Sequence, residues 1–281
     1  TMITNLDHII IAVENIQEGI SNYSKILGLK PIWEGKHHEL GTRNALFNFE
    51  NTYLELLTID GVGLGADLVK QHLDKNGDGL MGVAYGCNDI KKVHKELMDN
   101  NFVCMEPLDG KGINELNTNE RTWLNLFLPS EISRGTFTFL IEHKNGFLDP
   151  INKKDSSIIH KLDHIVINTS DMDGFINIYK NIFKIRLALD KIIEHWKTRI
   201  AFFRLNKTTI EVIDKNESDE SIDKLWGLAW EVDSLQKAHD RISSEGIEIS
   251  PIKDGIKDNT LVCTIKSHTH NVPTLLIEHL N

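Results

Sequence analysis

Cysteine is scarce in this chain. Cys87, Cys104 and Cys263 are an odd, scattered set with no C-x-x-C pair, which excludes a disulfide framework or a thiolate zinc site as the organising element. Positive charge is also in deficit: 31 Lys and Arg face 41 Asp and Glu, for a net charge of −10, and no basic stretch offsets the balance. A surface that tracks phosphates needs the opposite balance, so nucleic acid is not an expected partner. Long apolar runs are missing too. No segment approaches the roughly 18 apolar residues that a membrane-spanning helix requires, and the first few residues turn polar quickly. No membrane partner is expected, and a cytoplasmic location follows as the default. The bulk that remains is 40% hydrophobic and 26% charged over 281 residues, enough for two soluble domains each with its own core.

The chain repeats itself. Leu6-Asp7-His8-Ile9-Ile10-Ile11-Ala12-Val13 returns as Leu162-Asp163-His164-Ile165-Val166-Ile167-Asn168-Thr169. The same offset then pairs Ile20 with Ile176, Tyr23 with Tyr179, Ile26 with Ile182, Thr42-Arg43 with Thr198-Arg199, and Glu55 with Glu211. A register that holds without a gap from Leu6 to Glu55 marks two copies of one unit. Each copy sets a histidine in a short apolar strand and a glutamate in a later one.

The period-two pattern of residues 6–13 predicts a strand with Leu6, His8, Ile10 and Ala12 on one face. A helix follows, capped near Asn15 and stopped at Gly28, with Ile16, Ile20, Tyr23 and Leu27 as its apolar stripe. Strands are expected around Lys30–Glu34, Thr42–Asn48 and Thr52–Ile59, giving a β-α-β-β-β order. A weaker copy follows: strand Leu80–Cys87, helix Asp89–Asn100, and strands Phe102–Met105, Thr122–Leu128 and Thr136–His143. Lys144–Lys161, with Asn-Gly and Asp-Pro turn signals, reads as a linker. The second half repeats the plan from Leu162, through strands near Ile185–Leu189, Thr198–Asn206 and Thr208–Ile213 and an acidic loop at Asp214–Asp223. Its last unit is expected to hold strand Gly227–Val232, helix Asp233–Ser244 and strands Glu248–Pro251, Thr260–Lys266 and Thr274–His279. The two endings match as well, Leu140-Ile141-Glu142-His143 with Leu276-Ile277-Glu278-His279. The expected fold is α+β: four βαβββ units in two tandem domains, 1–143 and 162–281, joined by 144–161.

Four such units, with Leu-Asp-His opening the odd ones and a glutamate in closing strands, resemble the vicinal oxygen chelate superfamily of glyoxalase I, bleomycin-resistance proteins and type I extradiol dioxygenases. The stretch His37-His38-Glu39-Leu40-Gly41-Thr42-Arg43-Asn44, followed by Tyr53-Leu54-Glu55-Leu56, is similar to the glyoxalase-like subfamily. The resemblance implies that paired units curl into a half-open barrel with a metal in the cleft, held by up to four residues of the first and last strands. Carried over by position, these are His8, Glu55 and Glu142 in the first half, with Gly82 in the fourth place. In the second half they are His164, Glu211 and Glu278, with Gly227 in the fourth place. The glycines depart from the pattern: a ring-cleaving dioxygenase needs a histidine where Gly227 stands. One imidazole and two carboxylates would still suit a divalent cation such as Zn, Mn, Fe, Ni or Mg.

A glutamate among apolar strand neighbours carries a large desolvation cost unless it is paired or metal-bound. The alternative for His8 is a plain hydrogen bond to Glu55. Thr42, Asn44, Asn48 and Tyr53, with His38 at the mouth, give the first half a polar face for a small-molecule ligand, and that half is the favoured active cleft. The matching second-half positions are Thr198, Ile200, Arg204 and Thr209. His37 and His38 otherwise read as a solvated hairpin loop, and His268 and His270 as surface residues. Gly61-x-Gly63-x-x-Ala66 is set aside as a dinucleotide motif because the unit is βαβββ rather than βαβ. Asp74-x-Asn76-x-Asp78-Gly79 is set aside as a calcium loop because its twelfth position is Tyr85. The expected function is that of a metal-dependent lyase or isomerase acting on a small oxygen-bearing metabolite, with Glu55 or Glu142 as the proton-transferring base. A metal-free binding or sequestering protein of the bleomycin-resistance type is the second expectation, and a dioxygenase the third. A monomer and a homodimer are both compatible with the sequence.

Overall fold

The computed structural model describes residues 2–215 and 221–281, so part of the acidic loop at 214–223 lies outside the described residues. The first half runs β1 (Asn5–Ala12), α1 (Ile16–Leu27), β2 (Trp33–His37), β3 (Thr42–Asn48), β4 (Tyr53–Ile59), α2 (Leu64–Asn76), β5 (Gly79–Gly86), α3 (Ile90–Asp99), β6 (Leu108–Ile113), β7 (Glu120–Phe127), α4 (Ser130–Ser133) and β8 (Phe137–Asn145). The second runs β9 (Ile159–Thr169), α5 (Met172–Ile176), β10 (Arg186–Ile193), β11 (Thr198–Leu205), β12 (Thr208–Asp214), β13 (Asp223–Val232), α6 (Leu235–Ser244), β14 (Lys253–Asp254), β15 (Thr260–Ile265) and β16 (Thr274–His279). Each half is one eight-stranded sheet, ordered β2-β3-β4-β1-β5-β8-β7-β6 and β10-β11-β12-β9-β13-β16-β15-β14. Parallel pairs β1/β4 and β5/β8 hold each unit together, and the antiparallel pair β1/β5 joins the two units at mid-sheet. These are two tandem near-barrels, each built from two units. Among the described residues no helix is long and apolar enough to cross a membrane.

Local chemistry explains the elements. The Asn15 side chain accepts the Glu18 amide of α1, and Gly28 ends that helix in the left-handed conformation at φ 73°. The helix begun at α5 widens into a π turn over Asn177–Ile182, which stacks Phe175 on Tyr179 at 4.0 Å. Two expected strands fail. Phe102–Met105 forms none, with Val103 81% and Met105 65% exposed. The pairing strand is β6, whose Gly110 and Gly112 let the Trp123 ring lie against the backbone; a Cβ on Gly110 would meet Trp123 at 2.0 Å. Glu248–Pro251 reduces to a single bridge, Ile249 to Ile265, beside the two-residue β14. The segment set aside as a dinucleotide motif leads into α2, an extra helix between the first two units whose Val69 packs with Ile10, Leu57 and Met81.

The edges of the two sheets differ. In the first half Asn114, 1% exposed and just past β6, bridges to Gly35 of β2; its side chain accepts the Glu34 amide and donates to the Ile32 carbonyl. That contact draws β2 and β6 together and encloses the space within. The equivalent edges β10 and β14 share no bridge among the described residues.

One core serves both halves. Ile9, Ile11, Leu54, Val83, Ile165, Ile167, Ile210 and Trp230 belong to the same buried cluster. Across the seam Phe49 meets Trp230 at 4.6 Å, and the hydroxyls of Tyr85 and Tyr179 lie 3.1 Å apart. Polar clamps reinforce it. Arg134 reaches Asp223 and Asp171, and the Arg241 guanidinium donates to the carbonyls of Lys25 and Ile26. His270, expected at the surface, is instead part of this seam. Its Nδ1 lies 2.7 Å from Asp78 and its Nε2 3.0 Å from the Asn22 amide.

Candidate functional site

The enclosed space in the first half is a cleft of about 770 Å³. β1 presents His8 to it, and the ladder to β5 slips one residue between Leu6 and His8. That slip lets neighbouring side chains meet: His8 Nδ1 and Asp7 Oδ2 are 2.7 Å apart, and His143 Nε2 sits 2.8 Å from Asp7 Oδ1. Burial works to raise the Asp7 carboxyl, but the hydrogen bonds from His143 and His8 outweigh it and hold the group well below the ordinary carboxylate range. An ionised carboxylate only accepts, so both imidazoles donate to it. In a neutral His8 the free lone pair is therefore on Nε2, which points at Glu55 Oε1, 3.8 Å away.

Glu55 arrives from β4, one step along the parallel ladder from His8 (Ile10 pairs with Glu55). Its Oε2 accepts the Asn44 amide at 2.7 Å from β3. The imidazole is held on both sides, stacked on Tyr53 at 4.5 Å and met edge-on by Phe139 at 5.8 Å. Burial raises the Tyr53 phenol well above its ordinary value, so it stays a neutral hydroxyl. His37, expected in a solvated loop, is half-buried on the cleft wall with Nδ1 3.0 Å from Thr42 Oγ1, and burial lowers its pKa. Three polar atoms of cleft-lining residues are buried without a hydrogen-bond partner: Asn44 Oδ1, Asn125 Oδ1 and Arg121 Nε.

Of the residues expected from sequence, His8, Glu55, Thr42, Asn44 and Tyr53 line this one cleft, with exposed His38 at its rim. Glu142 does not. It shares a strand face with Leu140, which is in the core between the sheets, and its Oε2 accepts the Ile90 amide at the start of α3 while Lys144 pairs with the other oxygen. The carboxylate thus caps a helix on the sheet's other side. Parallel pairing gives the reason. His8 faces Tyr53 as Gly82 faces Phe137, so the counterpart of Glu55 is Phe139. Glu278 is corrected likewise: it follows core residue Leu276 on one face, and the counterpart of Glu211 is Leu275. Asn48 also leaves the cleft, donating to the Asp149 carbonyl.

The four strand positions that would hold a metal in the first half are thus His8, Glu55, Gly82 and Phe139. Two of them carry no donor atom, which leaves only the His8 imidazole Nε2 and the Glu55 carboxylate. This set does not fit a divalent cation. A histidine cannot simply replace Gly82, because its Cβ would stand 2.7 Å from the Phe137 ring and 2.9 Å from the Phe137 carbonyl.

In the second half His164 repeats the contacts of His8, with Nδ1 2.7 Å from Asp163 and Nε2 3.3 Å from Glu211. The pair is more open: the side chains of His164 and Glu211 are 16% and 26% exposed, against 5% and 12% for His8 and Glu55. Burial opposes the charge on Glu211 and raises its pKa, whereas Asp163, despite burial, is held at about 2 by its bonds to His164 and His279. Asp163, Glu231 and His279 form a plausible metal-coordinating cluster, with one donor atom of each within 4.8 Å of the others. Sequence reading missed Asp7, His143 and Arg121. The signal for the first two was present in the repeated Leu-Asp-His and Glu-His pairs. For Arg121 it was the alternation Arg121, Trp123, Asn125, Phe127 along one strand.

Comparison with known proteins follows the same division. Residues 6–183 match a family described as glyoxalase-like domain, and residues 161–271 match the glyoxalase/bleomycin resistance protein/dioxygenase superfamily. The uncharacterized protein YqjC of Bacillus subtilis (strain 168) is 32% identical over 110 residues, covering 39% of this chain and 76% of that protein. A hypothetical protein from Staphylococcus aureus superposes with a TM-score of 0.68 at 13% identity, covering 98% of this chain and 99% of the other. A mutant of 4-hydroxymandelate synthase from Streptomyces coelicolor does so with a TM-score of 0.70 at 12% identity, over 99% and 93% of the two chains. At such identities the superpositions speak for the fold alone.

Proposed function

Because the chain belongs to the glyoxalase/bleomycin resistance protein/dioxygenase superfamily, as a glyoxalase-like member, we propose that its first-domain cleft binds a small oxygen-bearing organic molecule and moves a proton on it. This is the chemistry of a lyase or isomerase. The observation that supports it is the chain from exposed His143 through buried Asp7 to buried His8, which ends in an imidazole Nε2 turned toward Glu55 inside the cleft. In this reading His8 takes a proton from carbon next to a carbonyl. The imidazolium so formed lies between two carboxylates, Asp7 at 2.7 Å and Glu55 at 3.8 Å. Asp7 fixes the tautomer and ring orientation, and Asn44 keeps Glu55 in place. Tyr53, held protonated, offers a hydroxyl along the same wall.

A divalent-metal site, separate from this cleft, has its support in the second half. Asp163, Glu231 and His279 supply one imidazole and two carboxylates, a donor set suited to Zn, Mn, Fe or Ni. A metal bound there would supply Lewis-acid polarisation of a ligand oxygen. Capture without turnover, as in bleomycin-resistance proteins, is the second reading. It draws on the apolar floor of the cleft, formed by Met81, Phe127, Phe137 and Phe139.

The test is solvent deuterium exchange. Small aldehydes and ketones, neutral and acidic, are incubated with the protein in D2O, and loss of the proton beside the carbonyl is followed by NMR. Exchange is expected to be faster with the wild type than with His8→Gln by about 10²–10⁴-fold, the usual worth of a positioned base. A compound that binds yet exchanges no faster than in buffer refutes proton transfer and leaves capture. Elemental analysis of wild type and His279→Ala tests the metal form separately.

A further inference from the structure

Arg121 is 5% exposed, and its guanidinium is within 4 Å of no carboxylate among the described residues. Three rings surround it instead: Trp33 at 4.7 Å, Tyr53 at 5.4 Å and Trp123 at 5.6 Å. Aromatic faces offset part of the desolvation of a cation, and the Tyr53 hydroxyl adds a weak hydrogen-bonding influence. Neither neutralises the charge, and Nε is left with no acceptor. A buried charge of this kind is costly unless something pairs with it. Elsewhere in the chain buried Arg134 has its carboxylate, Asp223. Arg121 differs in standing on the wall of an open cleft.

The other cations at that cleft are committed. Lys36 pairs with Asp60, Lys111 with Glu120 and Lys144 with Glu142. Arg121 is therefore the cleft cation without a carboxylate partner among the described residues, and the Glu55 carboxylate in the same lining opposes a highly charged anion, which matches a monoanion better than a phosphate dianion. Asn44 Oδ1 and Asn125 Oδ1, buried and unpartnered, are acceptors that call for a hydroxyl or N–H on the ligand. The same cleft has an apolar lining of Met81, Phe127, Phe137 and Phe139.

We propose that Arg121 anchors a ligand carboxylate, so that the cleft takes a small carboxylic acid with an apolar body and a hydroxyl or N–H donor. This names the ligand class of the site read above as a proton-transfer centre and rests on that cleft being the ligand site. It does not require turnover.

Trp33 and Trp123 stand against the guanidinium and report on its occupancy. The experiment titrates phenylacetate, hexanoate and phenyllactate, each beside its primary amide, into the full-length protein and follows tryptophan emission and calorimetric heat. Wild type is expected to bind the acids in preference to the amides by about 10–100-fold, the worth of a charge-assisted hydrogen bond. Arg121→Met is expected to lose that preference with amide binding unchanged, and Arg121→Lys to keep part of it. Solvent deuterium exchange by the wild type is measured beside the binding, which separates anchoring from proton transfer. If the wild type binds acids with the expected preference but exchanges no proton on any carbonyl compound that binds, the proton-transfer reading fails and the anchor stands. The anchor is overturned if no acid saturates, if amides bind wild type as tightly as acids, or if Arg121→Met keeps the preference. Should Arg121→Met not fold, Arg121→Lys and the acid–amide comparison in wild type decide the matter.

Discussion

Replacing Arg134 with methionine should be among the most damaging single changes available outside the cleft. Its guanidinium, 7% exposed, crosses the seam to Asp223, 3% exposed, through Nε at 2.8 Å and Nη2 at 3.2 Å. The same group also holds Asp171, and Thr169 donates to Asp223 at 2.7 Å. Methionine fills the space of the stem but leaves Asp223 buried without its cation, a loss of about 3–5 kcal/mol. With an unfolding entropy of about 2.1 cal/mol/K per residue over 281 residues, each kcal/mol is worth about 1.7 °C, so the midpoint should fall by about 5–8 °C. Acid should relieve the defect. Burial already raises the Asp223 carboxyl against the pull of Arg134 and Thr169, and without Arg134 it must rise further. A carboxyl whose folded pKa exceeds its unfolded value destabilises at high pH, and the penalty disappears as pH falls through the folded value to the unfolded one near about 4. The difference between wild type and variant should therefore narrow from neutral pH toward pH 5, and Asp223→Asn in the variant background should restore most of it. Calorimetry or urea titration at several pH values reads this directly. A loss below about 1 kcal/mol, or one that neither acid nor the second substitution relieves, would show that the buried carboxylate is not the origin.

Gly82→His should create no metal site in the first half. The added Cβ meets the Phe137 ring and carbonyl at 2.7 and 2.9 Å, so metal titration should show no new binding and the melting point should fall, by about 1–3 kcal/mol of overpacking. Asp7→Asn should destabilise through the loss of two charge-assisted hydrogen bonds, by about 2–4 kcal/mol at neutral pH. Because the folded carboxyl of Asp7 lies below its unfolded value, that contribution is present above pH of about 4 and fades below it; acid unfolding curves of the two proteins should converge. Cys87 and Cys263 are buried, with thiols pushed up to about 12 by desolvation. A disulfide exchange reagent should therefore label the native protein only as fast as it unfolds, and prompt labelling at neutral pH would contradict the burial.

Much of the fold could be read from residues because its signals are local and repeated. The Leu-Asp-His strand, the Asn15 cap and the Gly28 stop each act within a few positions, and the duplicated register from Leu6 to Glu55 tied them into a plan. His8 and Glu55 were legible for the same reason: each lies on an alternating strand with a duplicate in the other half. Glu142 was misplaced because alternation says which residues share a face, but not which face turns toward the cleft. The ladder pairing of Gly82 with Phe137 decides that, and it depends on contacts between strands far apart in sequence. Asn114 closes the first barrel from a loop, where no periodicity exists to read. His270 looked like a turn residue because its partners, Asp78 and Asn22, come from the other half of the chain.

The continuous core between the sheets bears on how a ligand reaches the cleft. Tyr85 against Tyr179 and Phe49 against Trp230 weld the convex sides of the two barrels, so the halves are not jaws that swing apart. Admission to the cleft must then be controlled at its own rim, where Glu39, Leu40 and Leu64 line the mouth beside His38. Solvent exposure there should fluctuate while the welded seam stays shut. Entry would then be set by one short turn and one helix end, with the second barrel acting as the keel that keeps everything beneath them still.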